Sequence, residues 1–221
     1  MKLLAIDTAT EACSAAILVN EHILERYEVA PRRHAELILP MVDALLTESG
    51  LKLTDLDALA FGRGPGAFTG VRIATGIVQG LAYGGDLPVV PVSTLAALAQ
   101  GVASQAKYII SAIDARMGEV YWCAYQVDAN HLVVPLTEEK VSNPNRLDVP
   151  GEHIYYGIGS GWKTYRTVLA GMLQGKCGII DGEAYPRARD ILLLAAGECQ
   201  KGHVVSADKA LPVYLRNKVT G

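Results

Sequence analysis

The sequence predicts an α/β protein built from two related halves, and three observations support this prediction. Apolar runs of strand length alternate with amphipathic segments, which is typical of sheets that contain parallel strands and carry helices. The order of elements recurs, because Ala5-Ile6-Asp7 and Ala112-Ile113-Asp114 each begin a strand–turn–strand unit, and a strand, a Gly-rich loop and a helix follow in each half. Half of the 221 residues are hydrophobic, which is enough to bury a core.

The first half shows strand patterns followed by a helix. Strands are predicted at 2–6, 12–19 and 23–29. A helix is predicted from Pro31 to Ser49, because apolar residues recur three and four positions apart and Gly50 is a typical helix-ending residue. The remaining elements predicted here are a strand at 56–61, a Gly-rich loop, a helix at about 69–83, a strand at 88–92 and a helix that Ser93 or Thr94 caps and that runs to about 103.

The second half contains a strand at 119–127 and a strand from Ile154 that runs into a Gly-rich loop, with a helix from Trp162. We place the lobe boundary near Gln105, which gives a first lobe at 1–105 and a smaller second lobe at 106–221. The last predicted helix, at 187–201, can pack back on the first lobe.

The Gly-rich loop "GRGPGAFTGVRIATG" is a poor phosphate loop. No Gly-Lys-Ser/Thr follows it, so no lysine is placed for a nucleotide phosphate. Pro65 also removes a backbone N–H where amides would have to face a pyrophosphate. We therefore predict that Gly64, Pro65, Gly66 and Gly70 form a close turn at the start of a helix that Thr69 caps.

Composition argues against several other functions. The net charge of −3 disfavours a protein that binds RNA alone. The four cysteines form no C-x-x-C pair, which fits a reducing cytoplasm, and no two of the five histidines have the helical spacing of metal ligands. Asp7 and Asp114 end strands, where a carboxylate can either take part in a reaction or act as an ordinary turn residue. No apolar run is long enough to span a membrane.

Two helices carry more apolar residues than one buried face needs. In the 31–49 helix, Leu39 and Leu46 lie outside the main apolar stripe, and the 69–83 helix is apolar over more than one face. This surplus indicates either a surface that binds another protein or a thick layered core, and composition leaves both interpretations open.

Several motifs in order resemble the bacterial TsaB (YeaZ) family. They are "LLAIDTAT", "RRHAELILPMVDALL", "GRGPGAFTGVRIATGIVQGLA", "PVVPVSTLAALA" and "DARMGEVYWCAY", with "PVYLR" near the end. The match is dense over 1–105 and thinner beyond. This resemblance implies the duplicated, two-lobed fold of the actin, sugar-kinase and Hsp70 group.

The resemblance also implies a function in making N6-threonylcarbamoyladenosine at position 37 of tRNAs that read codons beginning with A. In that role the chain is a cytoplasmic accessory subunit, without catalytic activity alone, that pairs with a catalytic paralogue, TsaD, and works with an ATPase, TsaE. A homodimer is implied when TsaD is absent. The complex contacts tRNA, and ATP or ADP would bind only there.

The resemblance assigns residues as well. The implied partner interface consists of His34, Leu37, Ile38, Met41, Val42, Leu45, Arg72, Ile73, Ile77 and Leu81. The implied nucleotide contacts are Asp7, Thr8, Gly157, Gly159 and Gly161. TsaD-like proteins hold a metal with His-x-x-x-His, but here the corresponding stretch, Val92–Leu98, has no histidine, so no metal site is expected.

The residues themselves are also compatible with a second function. The aspartates at strand ends and the Gly-rich loops also fit a stand-alone peptidase or nucleotide hydrolase of the glycoprotease-like group. An enzyme of this kind would show turnover as an isolated chain, whereas an accessory subunit would not.

Overall fold

The structure, a computed structural model, describes residues 1–216. The predicted second lobe extends to residue 221, and its last five residues lie outside this part of the chain. The described strands are β1 (Lys2–Asp7), β2 (Ala12–Val19), β3 (His22–Val29), β4 (Ala58–Gly62), β5 (Val89–Val92), β6 (Tyr108–Arg116), β7 (Glu119–Val127), β8 (Val133–Pro135), β9 (Lys140–Ser142), β10 (Tyr155–Ile158) and β11 (Cys177–Asp181). The described helices are α1 (His34–Ser49), α2 (Phe68–Gly85), α3 (Thr94–Gln100), α4 (Ser160–Met172) and α5 (Ala188–Gln200).

The chain divides into two compact units. The first consists of Met1–Ala97 together with Pro186–Val213, and the second consists of Leu98–Tyr185 together with the described residues from Tyr214 to Arg216. The division lies before the expected boundary near Gln105. The helix α5 belongs to the first unit, although the sequence between α3 and α5 belongs almost entirely to the second.

The two units repeat one sheet topology, which confirms the predicted duplicated α/β fold. In the first unit the strand order is β3-β2-β1-β4-β5, and in the second it is β8-β7-β6-β10-β11, with β9 also pairing with β7. Each sheet has an antiparallel hairpin, β1–β2 or β6–β7, whose first strand pairs in parallel with a later strand. A repeated order of this kind is the topology that the resemblance to the actin-like group implies.

The first sheet is covered on both faces because side chains alternate along each strand. On β1, Leu4 and Ile6 belong to the core cluster that contains α1 and α2 residues. Leu3 and Ala5 belong instead to the cluster that contains Ala188, Ile191 and other α5 residues. The first unit is therefore a three-layer arrangement, with α1 and α2 on one side of the sheet and α5 on the other.

The start of α1 differs from the prediction. The helix begins at His34 and not at Pro31, because Arg32 has a φ of 69°, a left-handed conformation that a helix cannot contain. The C-terminal prediction is confirmed, since Gly50 has a φ of 67° and its N–H donates to the carbonyls of Leu46 and Thr47.

No helix of residues 1–216 combines the length and the apolar character that crossing a membrane requires.

We predict that Gly80→Ala stabilises the first unit. At this position inside α2, no described heavy atom lies within 4 Å of an added Cβ, so the methyl group meets open space. Replacing an exposed helical glycine with alanine should raise the free energy of unfolding by about 0.5–1 kcal/mol, measured by urea denaturation. Gly85→Ala is the control, because its Cβ would lie 3.0 Å from Leu87 Cδ1 and should bring no comparable gain. A loss of stability in Gly80→Ala would contradict the claim that the added methyl group has no neighbouring atoms.

Candidate functional site

Three predicted interface residues of α1 are core residues instead. Ile38, Val42 and Leu45 are buried within the first unit, where they pack in the cluster beneath α1 and α2. Their spacing of three and four residues identifies one face of α1, and that face lies against the sheet. These side chains are therefore core residues of the first unit and expose no surface for the partner interface that the resemblance implies.

His34 also has a structural position. Its side chain is buried, and its Nε2 lies 2.8 Å from the carbonyl oxygen of Thr10. Because a carbonyl only accepts, Nε2 carries the proton and donates to it. The imidazole thus ties the first turn of α1 to the turn between β1 and β2, and this structural position accounts for His34 without the partner contact that the resemblance implies.

The other predicted apolar interface residues lie at the border between core and surface. Leu37, Met41, Ile73, Ile77 and Leu81 are half-buried and pack against the cluster that α1 and α2 share. Each keeps part of its side chain accessible. They form a partly exposed apolar seam where the two helices meet.

The outward face of α2 carries a row of glycines that sequence reasoning missed. Gly76, Gly80 and Gly84 are exposed, and no described heavy atom lies within 4 Å of an added Cβ at any of them. Residues four apart lie on one face of a helix, so their four-residue spacing was a readable signal. Without side chains in this row, another helix could approach the α2 backbone closely.

Large apolar side chains flank this row. Phe68 and Tyr83 of α2 are 57% and 87% exposed, and Leu39 of α1 is 49% exposed. The predicted interface residue Arg72 is exposed, and its guanidinium carbon lies 3.1 Å from the centroid of the Phe68 ring. We call the glycine row, the half-buried seam and these exposed apolar residues the α1/α2 face.

The Gly-rich loop forms a close turn, as predicted, and the reason is packing against β1–β2. An added Cβ at Gly66 would lie 2.3 Å from Ala9 O, and one at Gly70 would lie 2.0 Å from Thr8 O. Gly64 has a φ of 97°, which favours glycine. Pro65 is buried within this turn.

The capping prediction for Thr69 was wrong. The N-cap is Ala67, whose side chain makes no cap hydrogen bond, and α2 begins at Phe68. Thr69 is thus an exposed residue inside the first turn. The preceding loop enters the helix through the backbone bond from Ala67 N–H to Ala9 O, at 2.7 Å, so the close approach to β1–β2 sets the start of α2.

The first two implied nucleotide contacts are fully buried. Thr8 Oγ1 donates to Gly70 O at 2.6 Å, and Asp7 Oδ1 accepts from Ala9 N–H at 3.1 Å. Asp7 Oδ2 has no hydrogen-bond partner among the described residues and lies against Gly62, where an added Cβ would be 1.8 Å from it. Burial raises the pKa of Asp7 to about 7. Neither side chain is accessible to a phosphate.

The three glycines of the second loop have packing reasons. An added Cβ at Gly157 would lie 2.6 Å from Cε2 of the buried Trp162. At Gly159 it would lie 2.5 Å from Ala112 O, and at Gly161 2.9 Å from Ala112 Cβ. Close contact with β6 and with the indole therefore accounts for glycine at these positions without a bound phosphate.

Comparison with known proteins places this geometry in a family. A family model described as "TsaD: tRNA N6-adenosine threonylcarbamoyltransferase" matches residues 18–177. The tRNA threonylcarbamoyladenosine biosynthesis protein TsaB of Escherichia coli K12 is 45% identical over 229 residues, which cover 99% of this chain and 96% of that protein. The chain belongs to the TsaB (YeaZ) family.

Two further relatives agree with this TsaB assignment. The TsaB protein of Haemophilus influenzae is 42% identical over 232 residues, which cover 100% of this chain and 95% of that protein. The solved structure of YeaZ from Pseudomonas aeruginosa matches with a TM-score of 0.90 and 46% identity, and the match covers 97% of this chain and 99% of that one.

In this TsaB-family chain, Ser93, within the stretch Val92–Leu98, caps a helix. Ser93 Oγ accepts from Ala96 N–H at 3.2 Å at the start of α3, which confirms the capping prediction there. Thr94 Oγ1 accepts from Gly64 N–H at 3.2 Å. Among residues 1–216, no three His, Cys, Asp or Glu side chains are grouped as metal ligands would be.

We expect the buried Asp7 to make stability fall as pH rises. Because its pKa is raised to about 7, the folded chain keeps a proton that the unfolded chain loses from about pH 4 upward. Between about pH 4 and pH 7 this single group lowers the free energy of unfolding by up to about 1.4 kcal/mol per pH unit. Asp190, whose pKa burial also raises to about 7, acts in the same direction.

Asp7→Asn should therefore lose less stability than the parent chain between pH 4 and pH 7, measured by urea denaturation at a series of pH values. Asp190→Asn serves as the comparison, since it should remove only the part of the pH dependence of the free energy of unfolding that Asp190 contributes. An unchanged pH slope in Asp7→Asn would show that the carboxyl is ionised in the folded chain.

Gly157→Ala tests the packing reason for the second loop. The added methyl group must displace the Trp162 indole, so we predict a loss of about 1–3 kcal/mol in the free energy of unfolding. Gly171→Ala in α4 is the control, because no described heavy atom lies within 4 Å of its added Cβ. Equal stability of the two variants would contradict the packing explanation.

Proposed function

We propose that this chain is an accessory subunit in the biosynthesis of tRNA threonylcarbamoyladenosine and that it pairs with a TsaD-family chain through the α1/α2 face. The names of two relatives that match over the full chain support a role in this biosynthetic process. The match of residues 18–177 to the TsaD family model supports a TsaD-like partner, since related chains share the fold and the equivalent helices.

One observation carries the proposed pairing. Gly76, Gly80 and Gly84 leave a strip of α2 backbone at the surface of an otherwise apolar helix. Glycine inside a helix costs about 0.5–1 kcal/mol relative to alanine, so three exposed glycines destabilise α2 when it stands alone. Close approach of a helix from another chain would account for all three.

The same face would also bind a second copy of this chain. A symmetric dimer uses one self-complementary patch on both subunits. Two helices from each chain can supply the roughly 1,600 Å² of total buried area that a standard interface needs. Because one face would serve both partners, the homodimer and the complex with TsaD would exclude each other.

A TsaE-like ATPase would join the pair, ATP or ADP would bind only in the multi-subunit complex, and the complex would work in the cytoplasm. The net charge of −3 supports contact with tRNA through the assembly and not by this chain alone. The burial of Asp7 and Thr8 supports a nucleotide site that depends on other subunits.

The interface experiment replaces one exposed glycine. Gly80→Glu places a charged side chain in the middle of the strip, so the complex with a TsaD-family chain should be lost in sedimentation velocity while the fold is kept. Gly171→Glu is the matched control, as an equally open helical glycine of α4. If Gly80→Glu binds as the parent does, the interface is elsewhere.

The cellular experiment measures threonylcarbamoyladenosine in bulk tRNA after depletion of this protein. The nucleoside should fall on depletion and return when the parent chain or Gly171→Glu is supplied. Gly80→Glu should fail to restore it. A normal nucleoside content in depleted cells would refute the proposed process.

A further inference from the structure

The segment after α5 runs alongside α2 and is held there by three contacts. Ala210 is fully buried in the core cluster that α1 and α2 share. Gln79 Nε2 of α2 donates to Ala210 O at 3.0 Å, and Val213 N–H donates to Arg63 O at 2.8 Å, just before the loop that enters α2. We call residues 210–213 the strap.

The strap borders the side of α2 that α1 leaves open. Phe68 and Gln79 are 11 positions apart, or about three helical turns, so they lie on nearly the same side of α2. Ile73, Ile77 and Leu81 lie on the other side, in the seam with α1. Gly76 and Gly80 fall between these two sides, so α1 and the strap border this part of the glycine row from opposite directions.

Leu211 is an exposed apolar residue on this fixed backbone. It is 58% exposed, although its neighbour Ala210 is fully buried. Phe68, on the strap side of α2, is 57% exposed. Large apolar side chains on anchored backbone at the edge of a binding face lose little entropy when a partner covers them.

We propose that the strap forms a third part of the partner-binding surface, with Leu211 and Phe68 covered by the TsaD-family chain. This inference rests on the proposed function, because it extends the α1/α2 face beyond its two helices. The occupant is the same partner, since the strap is continuous with that face through the Gln79 contact. Gln79 acts as a positioning residue, because its hydrogen bond to Ala210 O holds the backbone next to Leu211 against α2.

The first experiment measures partner affinity in Leu211 variants of the full chain. Leu211→Ala should weaken binding about three- to tenfold, and Leu211→Glu more than about tenfold. Leu193→Glu is the matched control, because Leu193 is 39% exposed on α5, on the opposite face of the sheet. Its affinity should equal that of the parent, and unchanged thermal midpoints would show that all variants fold.

Comparison with Gly80→Glu separates the two proposals. If Gly80→Glu abolishes binding and Leu211→Glu binds as the parent does, the strap is outside the interface while the proposed function stands. If both variants bind as the parent does, both the proposed α1/α2 interface and the proposed role of the strap are wrong. Loss of homodimer alone in Leu211→Glu, with normal TsaD-family binding, would overturn the choice of occupant.

The second experiment tests the positioning by Gln79. Gln79→Ala removes the donor to Ala210 O, so amide hydrogen exchange at 211–213 should accelerate and partner affinity should fall. Gln79→Asn, whose shorter side chain keeps the amide but not the reach, should behave similarly. Faster exchange with unchanged affinity would show that the hydrogen bond only stabilises the fold.

Discussion

The close approach of the start of α2 to the turn between β1 and β2 determines the arrangement of the first unit. Gly66 and Gly70 allow it, because an added Cβ at either position would collide with the carbonyl oxygen of Ala9 or Thr8. Contact at this distance fixes the rotation of α2 about its axis. Val71, Ala74 and Val78 then face the sheet, and the row at Gly76, Gly80 and Gly84 faces outward. The Gly-rich loop thus positions a helix and its exposed face.

The same turn buries the polar side chains at the end of β1. Asp7 and Thr8 end β1 at the carboxyl edge of the sheet, where such folds commonly bind ligands. Here α2 covers Thr8 through Gly70, and Gly62 lies against Asp7. The carboxyl is consequently desolvated, and its pKa rises toward neutrality. In our proposal, chemistry belongs to the partner, and this chain contributes a fixed α1/α2 face.

The sequence predicted the repeated α/β topology and most elements to within a few residues, because strand and helix periodicities are strong and glycine ends helices by a local mechanism. It could not separate core from surface on α1, since Ile38 and Leu39 are adjacent and both apolar, yet the first is buried and the second half exposed. The search for apolar periodicity missed the glycine row, because glycine adds little to hydropathy, although the four-residue spacing of Gly76, Gly80 and Gly84 is visible in the sequence. The sequence could not show why position 157 is glycine, which the resemblance made a nucleotide contact, since only the structure brings the Trp162 ring against Gly157.

The central claim is that the outward face of α2 is covered when the TsaD-family partner binds. The most direct measurement is the rate of maleimide labelling of Gly80→Cys, in a chain whose native cysteines are replaced, with and without the partner. The thiol should react at the rate of an exposed residue in the free chain and be strongly protected in the complex, while Gly171→Cys reacts equally in both. Equal labelling of Gly80→Cys in the free chain and in a complex of verified stoichiometry would contradict the claim.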